Sequence, residues 1–508
     1  AHLPSLVPGT PRGVNATSTP GYGVEVGWMA PIGDGGEAIQ VYEVVSSPGS
    51  NLATSTAFGL DGRVTTDVDF YDEWIYDIAV DNSGRIVAVG SSDTGTSYEF
   101  LAARYTKYGG LDESFGNNGI SRVAIGSGHS AARALVLDSD GSIVVVGSKW
   151  DEGDTNSRDF ALIRLGPDGM LDTSYGVAGV VTTDFNLNGD YVYDVAIDVE
   201  GKIVVVGKSF SGEQRLNEIA VARYLGNGSL DTSFGGSGVV SFGFGGDNDD
   251  EGYAVVLDTE QRIVIAGMTD CCGTRKGSVI RILNDGSLDV SFGLNTGGSY
   301  FQPTNSEELM FVSSALDSFG RIVLFGLSEG DFFLARVNTN GYLDTSFGTS
   351  GMTRTDLDLS GVATEMLIQD NGNILVAGYV SDGSNEDFVV ARYTASGTLD
   401  ETFGTDGIAI IDFDSGGDRA WALAQFEEGK TIVAGRTQSG ENRDLALVVL
   451  DSGGQLDPGR KVTFDELNIG TSYSFTVKAQ NSVGFSEPSS SSDEVVPITV
   501  PDAPTGVS

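Results

Sequence analysis

One short motif, Leu-Asp-x-Ser-Phe-Gly, constrains this chain more than any other feature because it returns at a nearly constant spacing. The first full copy occupies residues 111–116, and a worn copy closes the series at residues 456–459. The copies begin at Leu111, Leu171, Leu230, Leu288, Leu343, Leu399 and Leu456, in steps of 60, 59, 58, 55, 56 and 57 residues. A fixed period of this size indicates a repeat architecture.

Each repeat contains four short runs typical of β-strands. In the second repeat they lie near residues 121–124, 134–137, 143–146 and 160–164, and a tight hairpin sequence at 138–141 joins the middle two. The third run carries an Ile in every repeat, at Ile86, Ile143, Ile203, Ile263, Ile322, Ile374 and Ile432. Seven repeats of four strands predict an all-β chain with a seven-bladed β-propeller.

The repeat array is cut in the middle of its motif, which predicts a closed ring. It starts with the second half of the motif, at Phe58-Gly59, and ends with the first half, at Leu456-Asp457. In a ring these two halves meet at one seam, whereas an open solenoid places its ends far apart.

The two flanks of the array have strand patterns of their own. Residues 24–28 alternate as a half-buried strand does, residues 39–44 form the next strand, and residues 467–481 supply further strands after the repeats. Together the flanks resemble a fibronectin type III domain, with Trp28 as its core Trp and Tyr473 at its tyrosine corner. The resemblance implies a β-sandwich-like domain into which the propeller is inserted.

The sequence therefore predicts four segments. They are residues 1–55 (first half of the sandwich), 56–459 (propeller), 460–499 (second half) and 500–508 (start of a following fibronectin-like unit). The last prediction rests on residues 500–507, which repeat the pattern of residues 7–14.

The repeats resemble the delta-sixty repeat family, which is known chiefly from bacterial surface and secreted proteins. The resemblance covers about residues 58–458. It implies a propeller and an extracellular or cell-surface location, and it implies no activity.

A charged pair, Arg-x7-Asp, recurs in six repeats. The pairs are Arg104/Asp112, Arg164/Asp172, Arg223/Asp231, Arg281/Asp289, Arg336/Asp344 and Arg392/Asp400, and the seventh repeat has Val449 before Asp457. One interpretation is a ring of ligand-binding arginines. The favoured one is a structural ion pair within each blade, because six near-equivalent copies serve the fold and bidentate geometry suits such a tie.

Acidic turns follow the first strand of several repeats. Their candidate ligands for Ca²⁺ are Asp67, Asp69, Asp184, Asn186, Asp247, Asp249, Asp412 and Asp414. Clustered oxygen ligands near Gly are what Ca²⁺ requires, but the spacing of an EF-hand is absent. The alternative is a set of solvated turns, in which case the chain binds no cofactor.

Two further features carry covalent chemistry. The neighbouring Cys271 and Cys272 are predicted to form a vicinal disulfide in an oxidising compartment, the alternative being two thiols in a loop. Asn15 and Asn227 each begin an Asn-x-Ser/Thr sequence, the acceptor for N-glycosylation, and Asn227 also fits a plain Asn-Gly turn.

Charge and residue types exclude several functions. A net charge of −42 repels nucleic acid, and no apolar run reaches the ~20 residues of a membrane helix. Phosphate-loop and dinucleotide-binding sequences are absent. With His2 near the terminus, a His-dependent mechanism falls on His129 alone, which the sequence places in a turn.

We expect from these observations a non-enzymatic extracellular structural or adhesive protein. It would be one repeating unit of a surface filament, stalk or tandem-domain protein, with copies of itself or other surface proteins as partners. A first alternative is an adhesin that binds a glycan or a protein on one propeller face. A second is a propeller hydrolase or lyase, for which 71 carboxylates offer too many pairs to choose from.

Overall fold

The computed structural model describes residues 7–19, 23–30, 39–47, 52–56, 58–59, 62–68, 71–185, 189–211, 216–244, 249–271, 274–293, 298–301, 308–413, 417–427, 429–440, 442–457, 461–464, 467, 471–481 and 483–497. Across those ranges the regular structure is β-strand without helix. A helix long and apolar enough to cross a bilayer is likewise missing from them.

In the described parts of the chain, four strands precede the propeller and two follow it. The first four are β1 (Arg12–Thr19), β2 (Gly23–Met29), β3 (Val41–Ser47) and β4 (Leu52–Thr56). The propeller strands are β5 (Arg63–Thr66), β6 (Glu73–Val80), β7 (Ile86–Asp93), β8 (Tyr98–Tyr105), β9 (Ile120–Val123), β10 (His129–Leu137), β11 (Ile143–Asp151), β12 (Asp154–Leu165), β13 (Val180–Thr183), β14 (Asp190–Ile197), β15 (Ile203–Ser211), β16 (Leu216–Tyr224), β17 (Val239–Phe242), β18 (Asp250–Leu257), β19 (Ile263–Cys271), β20 (Thr274–Ile282), β21 (Gly298–Phe301), β22 (Met310–Leu316), β23 (Ile322–Ser328), β24 (Asp331–Val337), β25 (Met352–Thr355), β26 (Ser360–Ile368), β27 (Ile374–Ser381), β28 (Glu386–Tyr393), β29 (Ile408–Ile411), β30 (Arg419–Phe426), β31 (Lys430–Ser439) and β32 (Asn442–Leu450). The last two are β33 (Lys461–Phe464) and β34 (Ser474–Gln480).

Seven four-stranded antiparallel sheets form the blades of the predicted propeller. Blades 1 to 6 take consecutive strands, from β6-β7-β8-β9 in blade 1 to β26-β27-β28-β29 in blade 6. Blade 7 has the order β30-β31-β32-β5, so the first propeller strand of the chain completes the last blade. In this closure Arg63 lies opposite Val448 and Thr66 opposite Leu445. Each sequence repeat therefore begins with the fourth strand of one blade and continues with the first three strands of the next blade.

Each blade is buried on both faces because it packs between two neighbours. Along β11, Ile143 and Val145 belong to the hydrophobic cluster shared with blade 1, and Val144 and Val146 belong to the cluster shared with blade 3. This placement explains why the second strand of each blade reads as a continuous apolar run rather than an alternating one.

The repeated motif builds a buried turn after the third strand of each blade. In blade 1, Asp112 Oδ1 accepts hydrogen bonds from the amide of Ser114 at 3.1 Å and its hydroxyl at 2.6 Å. Phe115 is fully buried. Gly116 has φ of 53°, and a Cβ there would lie 2.3 Å from the carbonyl oxygen of Ile120. Only Gly fits this turn without strain.

Each of the six repeated arginines contacts its own turn, and most of them also contact the next blade. Each Nε donates to the Oδ2 of its Asp, at 2.7 to 2.9 Å. Five of the guanidinium groups also donate to a backbone carbonyl of the following blade, at Pro167, Gly226, Thr339, Ala395 and Ser452. The pairs thus join neighbouring blades, a role that the sequence did not predict.

The strands outside the propeller form two three-stranded sheets, β1-β2-β33 and β34-β3-β4. Each sheet combines strands from both ends of the chain, with Val24 opposite Phe464 and Val44 opposite Val477. One hydrophobic cluster joins them, in which Trp28 packs edge-on against Tyr42 at 5.2 Å. The fibronectin type III assignment and the four segment boundaries stay predictions, and residues 500–508 lie outside the described residues.

Candidate functional site

The first strands of the seven blades surround the propeller axis, and each carries a β-bulge that aims one extra residue inward. The bulge residues are Tyr76, Arg133, Tyr193, Tyr253, Val312, Thr364 and Trp421. All seven line one cavity of about 370 Å³, which we call the axial cavity. Bulges often re-aim side chains beside a functional site.

Three carboxyl groups follow the bulges and also line the axial cavity: Asp77, Asp194 and Glu365. Asp194 accepts hydrogen bonds from Val195 N in its own strand and Val255 N in the next blade, both at 2.7 Å. Asp77 is bonded in the same way, whereas Glu365 accepts from Met366 N and from Ser313 Oγ of the preceding blade. Deep placement in the ring raises the pKa of Asp194 to about 6 and that of Glu365 to about 7. Burial, and then the charge of Glu365, raise the pKa of Asp77. The cavity therefore holds carboxyl groups whose pKa values lie well above their usual range.

Partly exposed rings lie around the cavity on the face where the first strands begin, which we call the axial face. The set formed by Trp74, Tyr98, His129, Trp150, Arg158 and Tyr191 is named the aromatic rim. His129 stacks on Trp150 at 5.4 Å and 14°. The Arg158 guanidinium lies 3.8 Å over Trp150 and 4.5 Å over Tyr191. The rim runs across blades 1 to 3.

His129 is the first residue of β10, so its predicted place in a turn was wrong. Its Nδ1 accepts a hydrogen bond from the backbone amide of Tyr98 at 3.2 Å. In the neutral ring the proton is then on Nε2. His129 consequently presents a hydrogen-bond donor, and not a base, to anything above the rim.

Arginines converge on the axial face in blade 7. Arg419 pairs with Glu386 at 2.5 and 2.7 Å, and Arg443 pairs with Asp72 at 2.6 Å. Arg436 is 6 % exposed, and its Nε has no hydrogen-bond partner within the described ranges. Burial, and then the charges of Arg419 and Arg443, lower the pKa of Arg436 to about 10. A buried guanidinium with an unsatisfied Nε favours an anionic ligand.

Glu251 organises the phenols on the blade 4 side. It accepts hydrogen bonds from Tyr253 Oη at 2.8 Å, Tyr193 Oη at 3.2 Å, Lys208 Nζ at 3.0 Å and Asn217 Nδ2 at 2.9 Å. Burial, and then the Glu251 charge, raise the pKa of both phenols, which therefore keep their protons.

The predicted calcium ligands lie at crossovers between blades. Asp67, Asp184 and Asp412 each belong to a group of three carboxylates, whereas Asp249 accepts a hydrogen bond from Asn217 N at 2.8 Å. Asp69, Asn186, Asp247, Asp414 and Cys272 lie outside the described residues. The side chain of Cys271 is likewise not described. Calcium binding and the vicinal disulfide stay predictions.

The two glycosylation candidates lie on exposed backbone. Asn15 is an exposed residue of β1. Asn227 is exposed in a turn, where its Oδ1 accepts hydrogen bonds from Ser229 N at 3.0 Å and Ser229 Oγ at 2.7 Å. The turn structure accounts for Asn227 without a glycan, and glycosylation stays a prediction.

Sequence reasoning missed the aromatic rim and the arginines of blade 7. The signal was present, because equivalent bulge positions hold Tyr, Arg, Val, Thr and Trp in different repeats. A position that varies in chemistry within otherwise regular repeats is a better guide to a site than a residue that all repeats share.

Five segments of the chain match the family described as domain of unknown function DUF5122, a beta-propeller. They are residues 139–175, 201–234, 262–292, 320–347 and 369–403. The match and the seven blades confirm the propeller part of the sequence prediction. No curated protein matches the sequence.

Several solved structures are similar at low identity. A catalytically inactive virginiamycin B lyase from Staphylococcus aureus is 11% identical over 76% of this chain and 98% of its own, with a TM-score of 0.41. The polysaccharide lyase Uly1 is 8% identical over 76% and 91%, with a TM-score of 0.44. An ulvan lyase bound to -[GlcA(1-4)Rha3S]- is 12% identical over 77% and 96%, with a TM-score of 0.43.

These likenesses concern the fold and correct one prediction. The prediction that the chain is not an enzyme was wrong. It rested on a propeller with few histidines, whereas propellers similar to this one are lyases. The propeller fold hosts catalysis as well as binding, and function has to be argued from the site.

Proposed function

We propose that the axial face binds an anionic polysaccharide. The observation that carries this proposal is Arg436, a buried guanidinium whose Nε lacks a hydrogen-bond partner among the described residues and whose pKa is lowered by the charges of Arg419 and Arg443 as well as by burial. A sulfate or a uronate carboxylate is the matching ligand group, because guanidinium binds such oxyanions through paired, charge-assisted hydrogen bonds.

The aromatic rim supports a sugar polymer rather than a small anion. The rim begins at Trp74, where the Arg443 guanidinium lies 6.0 Å from the ring centroid. It ends at Tyr191, over which the Arg158 guanidinium lies. A second row joins Tyr379 to Trp421 at 5.9 Å and Trp421 to Tyr76 at 5.5 Å, and Arg133 lies 4.1 Å over Tyr76. Rings with interleaved cations offer apolar surface for sugar faces and charge for their acidic groups.

The overall charge of the protein limits where an anionic ligand can bind. At a net charge of −42 the molecule repels polyanions over most of its surface, so binding depends on local contacts at the axial face. This proposal also places the protein at the cell surface or outside the cell, where such polysaccharides occur. Added salt screens the long-range repulsion before it weakens the close pairs, which favours an affinity maximum at intermediate ionic strength.

Binding measurements on two variants can distinguish loss of the binding site from loss of the fold. Arg436→Met removes the unpaired cation and should weaken binding of a uronate or sulfated polysaccharide at least about tenfold, while leaving the protein as stable as before or more so. Arg354→Met, on an outer strand where Arg354 pairs with Asp331 at 2.9 Å, removes the same charge and serves as the control. Equal affinities for the two variants, or equal binding of a neutral glucan, would count against the proposal.

A second candidate function, cleavage of the bound polymer, rests on the axial cavity. It brings together Arg133, the protonated phenols of Tyr193 and Tyr253, and carboxyl groups with pKa values of about 6 and about 7. Groups that titrate near neutral pH suit general acid–base chemistry. A lyase would produce an unsaturated, ultraviolet-absorbing product and a hydrolase only new reducing ends. Cleavage that persists unchanged in Glu365→Gln would refute the role of the cavity.

A further inference from the structure

Among the described residues, three groups of carboxylates occupy equivalent crossovers between blades. They are Asp67/Glu73/Asp444, Asp159/Asp184/Asp190 and Asp387/Asp412/Asp418. Each group joins an Asp on the third strand of one blade, an Asp just after its fourth strand, and an acid at the start of the next blade. Within a group, one oxygen from each residue lies within 4.8 Å of the others.

Glu73 supplies the independent observation that points to a ligand. Its side chain is fully buried, and neither Oε1 nor Oε2 has a hydrogen-bond partner within the described ranges. The amide of Val68 faces the carboxylate and lowers its pKa, but it does not meet the geometry of a hydrogen bond. Asp190 is also fully buried; its Oδ2 accepts a hydrogen bond from Phe185 N at 2.9 Å, and its Oδ1 is without a partner there. A buried carboxylate without a partner is strongly unfavourable.

The surrounding charges make this arrangement costlier still. Burial, and then the charges of Asp67 and Asp444, raise the pKa of Glu73 to about 8. Arg122 of β9 opposes them, and its effect is the smallest of those acting on Glu73. In the second group, Lys149 Nζ lies 2.6 Å from Asp159 and neutralises part of the charge. The first group is the one in which both oxygens of the buried carboxylate lack a hydrogen-bond partner among the described residues.

We propose that Asp67, Glu73 and Asp444 bind Ca²⁺, and that the other two groups are weaker sites of the same kind. Carboxylate oxygens are the ligands that Ca²⁺ prefers, and its bonds of about 2.3–2.6 Å suit oxygens within 4.8 Å of one another. None of these residues belongs to the aromatic rim or lines the axial cavity, so the proposal does not rest on polysaccharide binding.

The position of the first group gives the ion a structural consequence. Asp67 follows β5, the strand that completes blade 7, while Asp444 lies on β32 of the same blade and Glu73 begins β6 of blade 1. One ion bound by these residues joins the closing strand, the last blade and the first blade. Calcium would then lock the ring at its seam.

Calcium titration of the chelator-treated protein tests the inference. We expect calorimetry to show up to three sites, with a Kd for the tightest on the order of 10⁻⁴ M or below, and Ca²⁺ to raise the unfolding temperature more than Mg²⁺ does. Glu73→Gln should remove the tightest site and most of the calcium-dependent rise. It should leave the calcium-free protein at least as stable as before near neutral pH, because Glu73 with a pKa of about 8 is already protonated there, and this retained stability separates site loss from misfolding.

A matched control is Glu99→Gln. Glu99 precedes Phe100 on β8 as Asp444 precedes Leu445 on β32, but the corresponding crossover has Ala124 and Ser130 in place of Asp67 and Glu73. Because Glu99 borders the same cavity as Asp67, this variant should keep every calcium site and weaken the tightest one far less than Glu73→Gln does. Absence of calcium binding at millimolar concentration, or an unchanged number of sites in Glu73→Gln, would overturn the inference.

Discussion

Replacing Arg392 by Met should destabilise the propeller by about 3–5 kcal/mol, the usual cost of leaving one partner of a buried ion pair alone. Arg392 is 8 % exposed, and its Nε donates to Asp400 Oδ2 at 2.8 Å. The same guanidinium donates to the Ser452 carbonyl of blade 7 and lies 4.8 Å over Phe403. The change therefore strands a carboxylate and loosens the contact between blades 6 and 7.

Urea unfolding of the variant beside Arg354→Met measures this cost. Arg354 also pairs with an Asp, Asp331, at 2.9 Å, but its side chain is 39% exposed, so its loss should cost less than about 1 kcal/mol. If the two variants unfold within about 1 kcal/mol of each other, the repeated pairs do not stabilise the ring as argued. Blade 7 shows a natural substitute: Val449 stands in the Arg position, and Lys430 Nζ contacts Asp457 at 2.9 Å instead.

The pH dependence of the stability difference between Arg392→Met and the unmodified protein is a second test. The Thr402 hydroxyl, and then the Arg392 guanidinium, hold the pKa of Asp400 below its usual value. The native carboxylate thus binds a proton less readily than it does in the unfolded chain, so its contribution is present above about pH 4 and disappears as the pH falls further. The difference between Arg392→Met and the unmodified protein should shrink in that acidic range. A constant difference would contradict the charge-based explanation.

Two further predictions concern the axial cavity and the repeated turn. Because Glu365 titrates at about 7 when folded and lower when unfolded, stability should fall as pH rises from about 4.5 to 7, and Glu365→Gln should flatten that slope in fluorescence-monitored unfolding. An equal slope in both proteins would refute this. Gly116→Ala should destabilise by more than about 1 kcal/mol, because it combines positive φ with a clash at the Ile120 carbonyl. The control is Gly440→Ala, measured by calorimetry, because Gly440 also has positive φ but open space around it. Equal losses of stability in the two variants would exclude the clash as the cause.

The period of the motif was enough to predict the ring, and the cut in the motif predicted its closure. The sequence could not show that blade and repeat differ by one strand, because a period has no starting point. Only strand pairing reveals that Arg63 faces Val448 across the seam. Because each blade is buried on both faces, the sequence also does not show which apolar residues of a strand pack against the preceding blade and which against the following one, as along β11.

The candidate site was hidden for a different reason. A β-bulge adds one residue to a strand without leaving a distinct composition, so the inward direction of Tyr76, Arg133 or Trp421 could not be read from alternation. The rim forms only when rings from three blades meet, as when Tyr98 of blade 1 reaches His129 and Trp150 of blade 2. Such contacts depend on the curvature of the ring rather than on local sequence.

The seam between β5 and β32 decides how the molecule carries mechanical load. The chain enters β5 at Arg63 and leaves β32 just beyond Val448, and these two residues are paired neighbours. Tension applied along the polypeptide therefore enters and leaves at one edge of one blade, and the other six blades are shielded from it. The antiparallel pair would open one hydrogen-bonded rung at a time from that end. The last rung is Thr66 with Leu445, immediately before Asp67 and Asp444, so an ion held there would act as the final stop against unravelling.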